Sequence, residues 1–177
     1  MSWNRLEVII DPARDIKPNR RPGYLPIEIR IDGRDLIEIV REVELPFAIR
    51  AWDEREPAER YGERGARAGA YSHLHVKDVL ASPLGLLEKP EAFYDRGKSR
   101  VLQCSCRSFG CSDLLARVSL DDTRVTWSDF EQISADRSGR RPWGHEQLGP
   151  FWFERSTYAA ALAACKDHYC GPRLVPE

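Results

Sequence analysis

Two runs of alternating apolar residues on either side of a polar turn set the architecture of the second half of this chain. Leu114, Ala116, Val118 and Leu120 alternate with Leu115, Arg117 and Ser119, and after Asp121-Asp122-Thr123 the alternation resumes with Val125 and Trp127 against Arg124, Thr126 and Ser128. A period of two sends successive side chains to opposite faces of a strand, so the pattern predicts an antiparallel β-hairpin with one buried face. Further strands are signalled elsewhere. Leu6–Ile10 reads as a short strand. Ile27, Ile29 and Ile31 alternate with Glu28, Arg30 and Asp32 ahead of an Asp32-Gly33 turn, and Ser99–Cys104 and Phe151-Trp152-Phe153 read as further strands.

Helical signals are fewer. Asp35 with Glu38 three residues later fits a capping box, and Leu36, Ile37, Val40 and Val43 share a helical face, which predicts a helix over 35–43. Ser156 or Thr157 can cap a second helix to about residue 169, stopped by Gly171-Pro172, with Tyr158, Leu162, Cys165 and Tyr169 on one stripe. The 177 residues have room for one domain with a substantial core. The expectation is therefore a single α+β domain over 1–177. It has an antiparallel sheet of about five or six strands, a long C-terminal helix and a shorter helix in the N-terminal half. Residues 53–67 are charged, poor in apolar side chains and broken by Pro57, Gly62 and Gly65, and are expected to form a mobile loop.

Composition excludes more than it identifies. Lys and Arg total 27 against 28 Asp and Glu, so the chain lacks the basic excess that nucleic-acid binding draws on. No apolar run is long enough to span a bilayer, and the basic residue near the N-terminus is followed by no apolar stretch, so a cytoplasmic setting is expected.

The chemically pointed feature is Cys104-Ser-Cys106-Arg-Ser-Phe-Gly-Cys111, three thiols within eight residues on a turn between two strands. Zinc takes four ligands at tetrahedral angles and favours thiolates, and a turn containing Gly110 can fold three of them round one ion. Candidates for the fourth ligand are Cys170 and His168, near the end of the last helix, and His73 and His75, which alternate on an extended segment. Cys165 has a sufficient explanation as a small apolar residue on the helical stripe. Two other uses of the three thiols compete with metal: packing without a ligand, and nucleophilic or redox chemistry, which needs a neighbour that lowers a thiol pKa. The aromatic residues Trp143, Phe151 and Trp152 are candidates for a protein-contact surface. No phosphate-binding glycine loop, nucleophile elbow or H-E-x-x-H is present.

Several segments together resemble a family of small uncharacterised bacterial proteins: Ile31-Asp-Gly-Arg-Asp-Leu36 leading to Arg41-Glu-Val-Glu-Leu-Pro46, then Gly69-Ala-Tyr71, Leu102-Gln-Cys-Ser-Cys106 with Gly110-Cys111, Val125-Thr-Trp-Ser-Asp-Phe130, and Phe151-Trp-Phe-Glu-Arg155 with Tyr158. The likeness covers most of residues 27–165. It carries a C-x-C-G-x-x-G-C turn before the hairpin, and here Arg107 stands in place of the first glycine. The resemblance implies an intact domain and a bacterial cytoplasmic setting, and no particular chemistry. The functional expectation is a non-enzymatic module, zinc-stabilised through Cys104, Cys106 and Cys111, that acts by contacting a protein partner. The alternative is a thiol-dependent enzyme or redox protein using one of those cysteines.

Overall fold

The computed structural model describes residues 2–10, 25–59, 62–75, 97–106, 111–133 and 143–168, with side chains in the last stretch described as far as residue 163. β1 (Leu6–Ile10) pairs antiparallel with β2 (Pro26–Ile31), Leu6 opposite Ile31 and Ile10 opposite Ile27. Ile27, Ile29 and Ile31 are buried, as their alternation requires. The chain turns back through Asp32 and Gly33, with φ of 54° and 80°, into β3 (Arg34–Asp35). Two successive left-handed residues make the tight hairpin turn that Asp-Gly favours.

Asp35 then caps α1 (Leu36–Asp53), its Oδ1 accepting the Ile37 N–H at 2.8 Å. The expected helix ended at 43, but α1 runs for 18 residues and passes through Pro46. An interior proline removes one main-chain hydrogen bond and costs about 3 kcal/mol, so a stop was the natural expectation. Burial carries the helix past it. Leu36, Val40, Glu44 and Ala48 recur every four residues and are all buried, giving one continuous face. A carboxylate in that series hides the pattern from any hydrophobic count.

Beyond α1 the charged segment holds a 3-10 turn at Pro57–Glu59 and is tied back to the helix at two points. Arg64 clasps Asp53 with both Nε (2.9 Å) and Nη2 (2.5 Å), and Ala68 is buried in a small cluster with Ala48 and Trp143.

The expected single sheet is two sheets. The first has four strands, because β2 also pairs with β5 (Leu74–His75). The second is antiparallel throughout, in the order β4 (Tyr71–Ser72), β6 (Ser99–Cys104), β7 (Leu114–Leu120), β8 (Arg124–Gln132), β9 (Phe151–Glu154). One extended stretch serves both: residues 71–72 pair with β6, and 74–75 pair with β2. His73 stands at the crossover, where its carbonyl accepts Gln103 Nε2 at 2.6 Å. A strand that switches sheets in this way turns one expected sheet into two layers over a common core.

β9 leads directly into α2 (Arg155–His168), which at 14 residues is shorter than α1, reversing the expected order of lengths. It begins one residue before the expected cap, and the Thr157 hydroxyl donates to the Glu154 carbonyl at 2.9 Å. Tyr158 and Leu162 are buried, as the predicted stripe requires, while the side chain of Cys165 and all of Tyr169 lie outside the described residues. Tyr158 anchors the helix on the hairpin. Its hydroxyl accepts Trp127 Nε1 at 3.1 Å, and the two rings meet edge to face. Buried residues of both sheets and both helices form one cluster, from Leu6 and Ile29 to Trp127, Phe153 and Leu162. No helix among the described residues is long and apolar enough to cross a membrane.

Candidate metal centre and the buried Glu44 network

The thiol turn begins where β6 ends. Cys104 is buried and opposite Tyr71 in the β4–β6 ladder, and the next residue extends that attachment, Ser105 N–H donating to the Ala70 carbonyl at 3.1 Å. The far side of the turn is fixed by Asp113, itself buried, whose Oδ1 accepts the Cys104 N–H at 2.9 Å. Asp113 Oδ2 makes no hydrogen bond and lies 3.6 Å from Nη1 of Arg100. These anchors gather the sulfurs. Sγ of Cys104 and Cys106 are 3.0 Å apart, and the thiols of Cys104, Cys106 and Cys111 all lie within 4.8 Å of one another. None of the three is in a disulfide; Cys106 is exposed and Cys111 half-buried. Such a trio could hold one metal ion: with Zn–S bonds near 2.3 Å, tetrahedral geometry separates sulfurs by roughly 3.8 Å. Burial, reinforced by the Cys106 thiol, pushes the Cys104 thiol up to about 11.

The candidates for a fourth ligand are scattered. His73 turns away to the first sheet, where Nε2 is 3.5 Å from Asp35 Oδ2 and Glu28 completes a second group of possible ligands. Burial opposes ionisation of Asp35, but hydrogen bonds from His73 and the Ile37 N–H outweigh it and hold the carboxyl below its usual value. Glu28 is also bound by Arg30 Nε at 2.5 Å, so both carboxylates already have structural partners. His75 sits on β5 opposite Pro26. Cys170 and the side chain of His168 lie outside the described residues, as does the Arg107–Gly110 part of the turn. Among the described residues no fourth Cys, His, Asp or Glu joins the three thiols within 4.8 Å.

The aromatic candidates separate too. Trp143 is buried beside Ala48 and Ala68, while Phe151 and Trp152 are half-buried on β9 at the edge of the second sheet. The outer side of Trp152 is covered by Asn4, which donates its N–H to the Trp152 carbonyl at 2.7 Å and accepts the Trp152 N–H at 2.9 Å.

A second polar constellation escaped the sequence reading. Glu44 is fully buried on α1, accepts hydrogen bonds from the Gly69 N–H (2.7 Å) and the Tyr71 hydroxyl (2.7 Å), and is hydrogen-bonded to Nε2 of His145 (2.8 Å). Tyr71 in turn accepts Gln132 Nε2 at 2.9 Å. Burial and the neighbouring Glu44 charge raise the Tyr71 hydroxyl well above its usual pKa. Two glycines make the close approach possible. A Cβ on Gly69 would lie 2.7 Å from Arg41 Cβ, and one on Gly144 would lie 2.3 Å from the Phe47 ring, both at positive φ. Glu44, Gly69 and Tyr71 fall within segments singled out in the sequence, but no local pattern groups them. His145, 101 residues from Glu44, carries no such mark.

The residue after the hairpin strand's Ser128 is equally committed. Asp129 has a φ of 50° and binds Lys98 Nζ at 3.0 Å and Arg117 Nη2 at 3.2 Å; Lys98, buried, also donates to Glu131 at 2.7 Å. Partial desolvation pushes Asp129 up, yet these two cations outweigh it and hold its pKa down.

Comparison with protein-family models, curated proteins and solved structures yields no match.

Proposed function

We propose that this chain is a non-enzymatic cytoplasmic module whose thiol turn holds zinc through Cys104, Cys106 and Cys111, and that it acts through contacts with a protein partner. The observation that carries this reading is the convergence of three thiols, none in a disulfide, within 4.8 Å of one another between the end of β6 and the start of β7. That donor set, soft and free of carboxylates, suits zinc better than the hard divalent ions. The metal would join the end of β6 to the start of β7, a structural role. One of Cys170, His168 and His75 supplies the fourth ligand in this account, because His73 is engaged with Asp35. The half-buried Phe151 and Trp152 on the edge strand are the contact residues. Membership of the small bacterial proteins with the C-x-C-G-x-x-G-C turn belongs to the same proposal.

The rival use of these thiols, as nucleophile or redox centre, requires a thiolate at neutral pH. Burial pushes the Cys104 thiol the opposite way, which counts against Cys104 as an unassisted nucleophile, whereas a bound cation would itself favour the thiolate. Cobalt(II) added to metal-free protein is the test. Thiolate coordination gives intense visible bands and sulfur-to-cobalt charge transfer, expected here at one equivalent and lost in Cys106→Ser, whose exposed side chain leaves the fold intact. A spectrum of hydrated cobalt alone would overturn the proposal.

A further inference from the structure

Behind the hairpin lies a cleft of about 530 Å³, walled by residues 128–132 of β8 and by 143–150. That volume is in the range of small-molecule sites, and the feature that makes it more than a surface hollow is His145. Its side chain is 8% exposed and lines the cleft, with Nε2 committed to Glu44 at 2.8 Å.

The tautomer follows from the hydrogen-bond chain. Glu44 Oε2 accepts a main-chain N–H, which can only donate. The Tyr71 hydroxyl accepts from Gln132, so its own hydrogen goes to Glu44 Oε1. With Glu44 ionised, Nε2 of His145 carries the hydrogen that points at it, and in the neutral imidazole Nδ1 is then the acceptor. The remaining nitrogen, Nδ1, has no hydrogen-bond partner among the described residues and is not sealed from solvent. A buried carboxylate that orients an imidazole and leaves its second nitrogen free for a ligand is a device of positioned binding sites.

Charge selects the ligand. The ionisable side chains lining the cleft, apart from His145, are Asp129, Glu131 and Glu146. Lys98 and Arg117 reach Asp129, and Lys98 reaches Glu131, from neighbouring strands. Glu146 is exposed and unpaired among the described residues, and Glu44 behind His145 has no lysine or arginine among its partners. An anion would meet this surface unfavourably. Phe130 and Trp143 supply apolar wall.

We propose that the cleft is a binding site for a small organic cation: a primary ammonium that donates to His145 Nδ1 and is countered by Glu146, with its apolar portion against Phe130 and Trp143. This site is independent of the thiol turn and needs no metal.

The test uses the full chain and 2-phenylethylammonium as probe, with 2-phenylethanol and 3-phenylpropionate as neutral and anionic counterparts, and follows the imidazole nitrogen resonances of His145 by NMR. The expected result is a saturable shift of Nδ1 with the ammonium and at least tenfold weaker binding of the other two. His145→Gln keeps a donor for Glu44 but removes the Nδ1 acceptor, and is expected to weaken the ammonium at least tenfold. Glu146→Gln, at an exposed position, is expected to weaken it several-fold with the fold unchanged, and carries the test if His145→Gln does not fold. Equal binding of all three probes, no shift of His145 at saturating ammonium, or full affinity in folded Glu146→Gln would overturn the proposal.

Discussion

Tyr71 and Cys104 face each other across the β4–β6 ladder, so one pair of residues joins the buried Glu44 network to the thiol turn. Tyr71 reaches α1 through Glu44, while Cys104 meets Cys106 at the open end of the sheet. Short as it is, β4 therefore holds together the first helix, the second sheet and the candidate metal centre.

The Tyr71 hydroxyl is both donor to Glu44 and acceptor from Gln132. Tyr71→Phe removes one of the hydrogen bonds to buried Glu44 and leaves half-buried Gln132 Nε2 short of its acceptor, and such losses cost about 1–3 kcal/mol. Urea denaturation should show a drop of that size. A change smaller than about 0.5 kcal/mol, the level of an ordinary surface substitution, would mean that the network contributes nothing net.

Gly144→Ala should be more damaging than Gly33→Ala. Both glycines have positive φ, so each substitution carries a backbone cost of about 1 kcal/mol. At Gly33 nothing lies within 4 Å of the added Cβ, whereas at Gly144 it would meet the Phe47 ring at 2.3 Å. Overpacking adds about 1–3 kcal/mol, so the Gly144 variant should lose the larger amount in parallel unfolding experiments. Equal losses would place the origin in the backbone alone.

In metal-free protein the Cys104 thiol lies at about 11, above its ordinary 9.0, mainly through burial. A folded-state pKa above the unfolded one means that the unfolded chain gives up its proton first as pH rises. The stability tied to this thiol is complete below about pH 9 and is lost through about pH 11. Tyr71, also raised, adds a loss in the same direction above pH 10. Chemical denaturation from pH 8 to 11 should show falling stability, and Cys104→Ala should flatten its lower part. At neutral pH, iodoacetamide should label the exposed Cys106 before Cys104.

The strands were legible from short apolar runs and, in the hairpin, from burial that alternates along 124–128. Leu6–Ile10 and Ser99–Cys104 begin and end where the pattern places them, and the Leu114–Gln132 hairpin turns at Asp121–Thr123 as read. The helices were less so. Pro46 argues for a stop, and the residue that keeps the buried face continuous beyond it is a carboxylate, Glu44, which no apolar count includes. The split into two sheets depends on a crossover at His73 within two-residue strands, below the length at which alternation can be recognised. The three cysteines were visible as a group because they are local in sequence. The Glu44–Tyr71–His145 set was not, since its members are brought together only by tertiary folding.

Metal removal should lower stability. A ligand present at a thousandfold above its Kd adds about 4 kcal/mol, which for a chain of this size corresponds to roughly 10 °C in Tm. A chelator should therefore lower the Tm of native protein by about that amount and leave Cys106→Ser nearly unaffected. Equal shifts in both would remove the link between stability and the thiol turn.

The most direct measurement is the metal content of untagged protein, purified without chelator, by elemental analysis against protein concentration. One zinc per chain, lost in Cys104→Ser, Cys106→Ser and Cys111→Ser, is the expected result. Folded wild-type protein with no bound metal, and no uptake of added zinc under reducing conditions, would contradict the account.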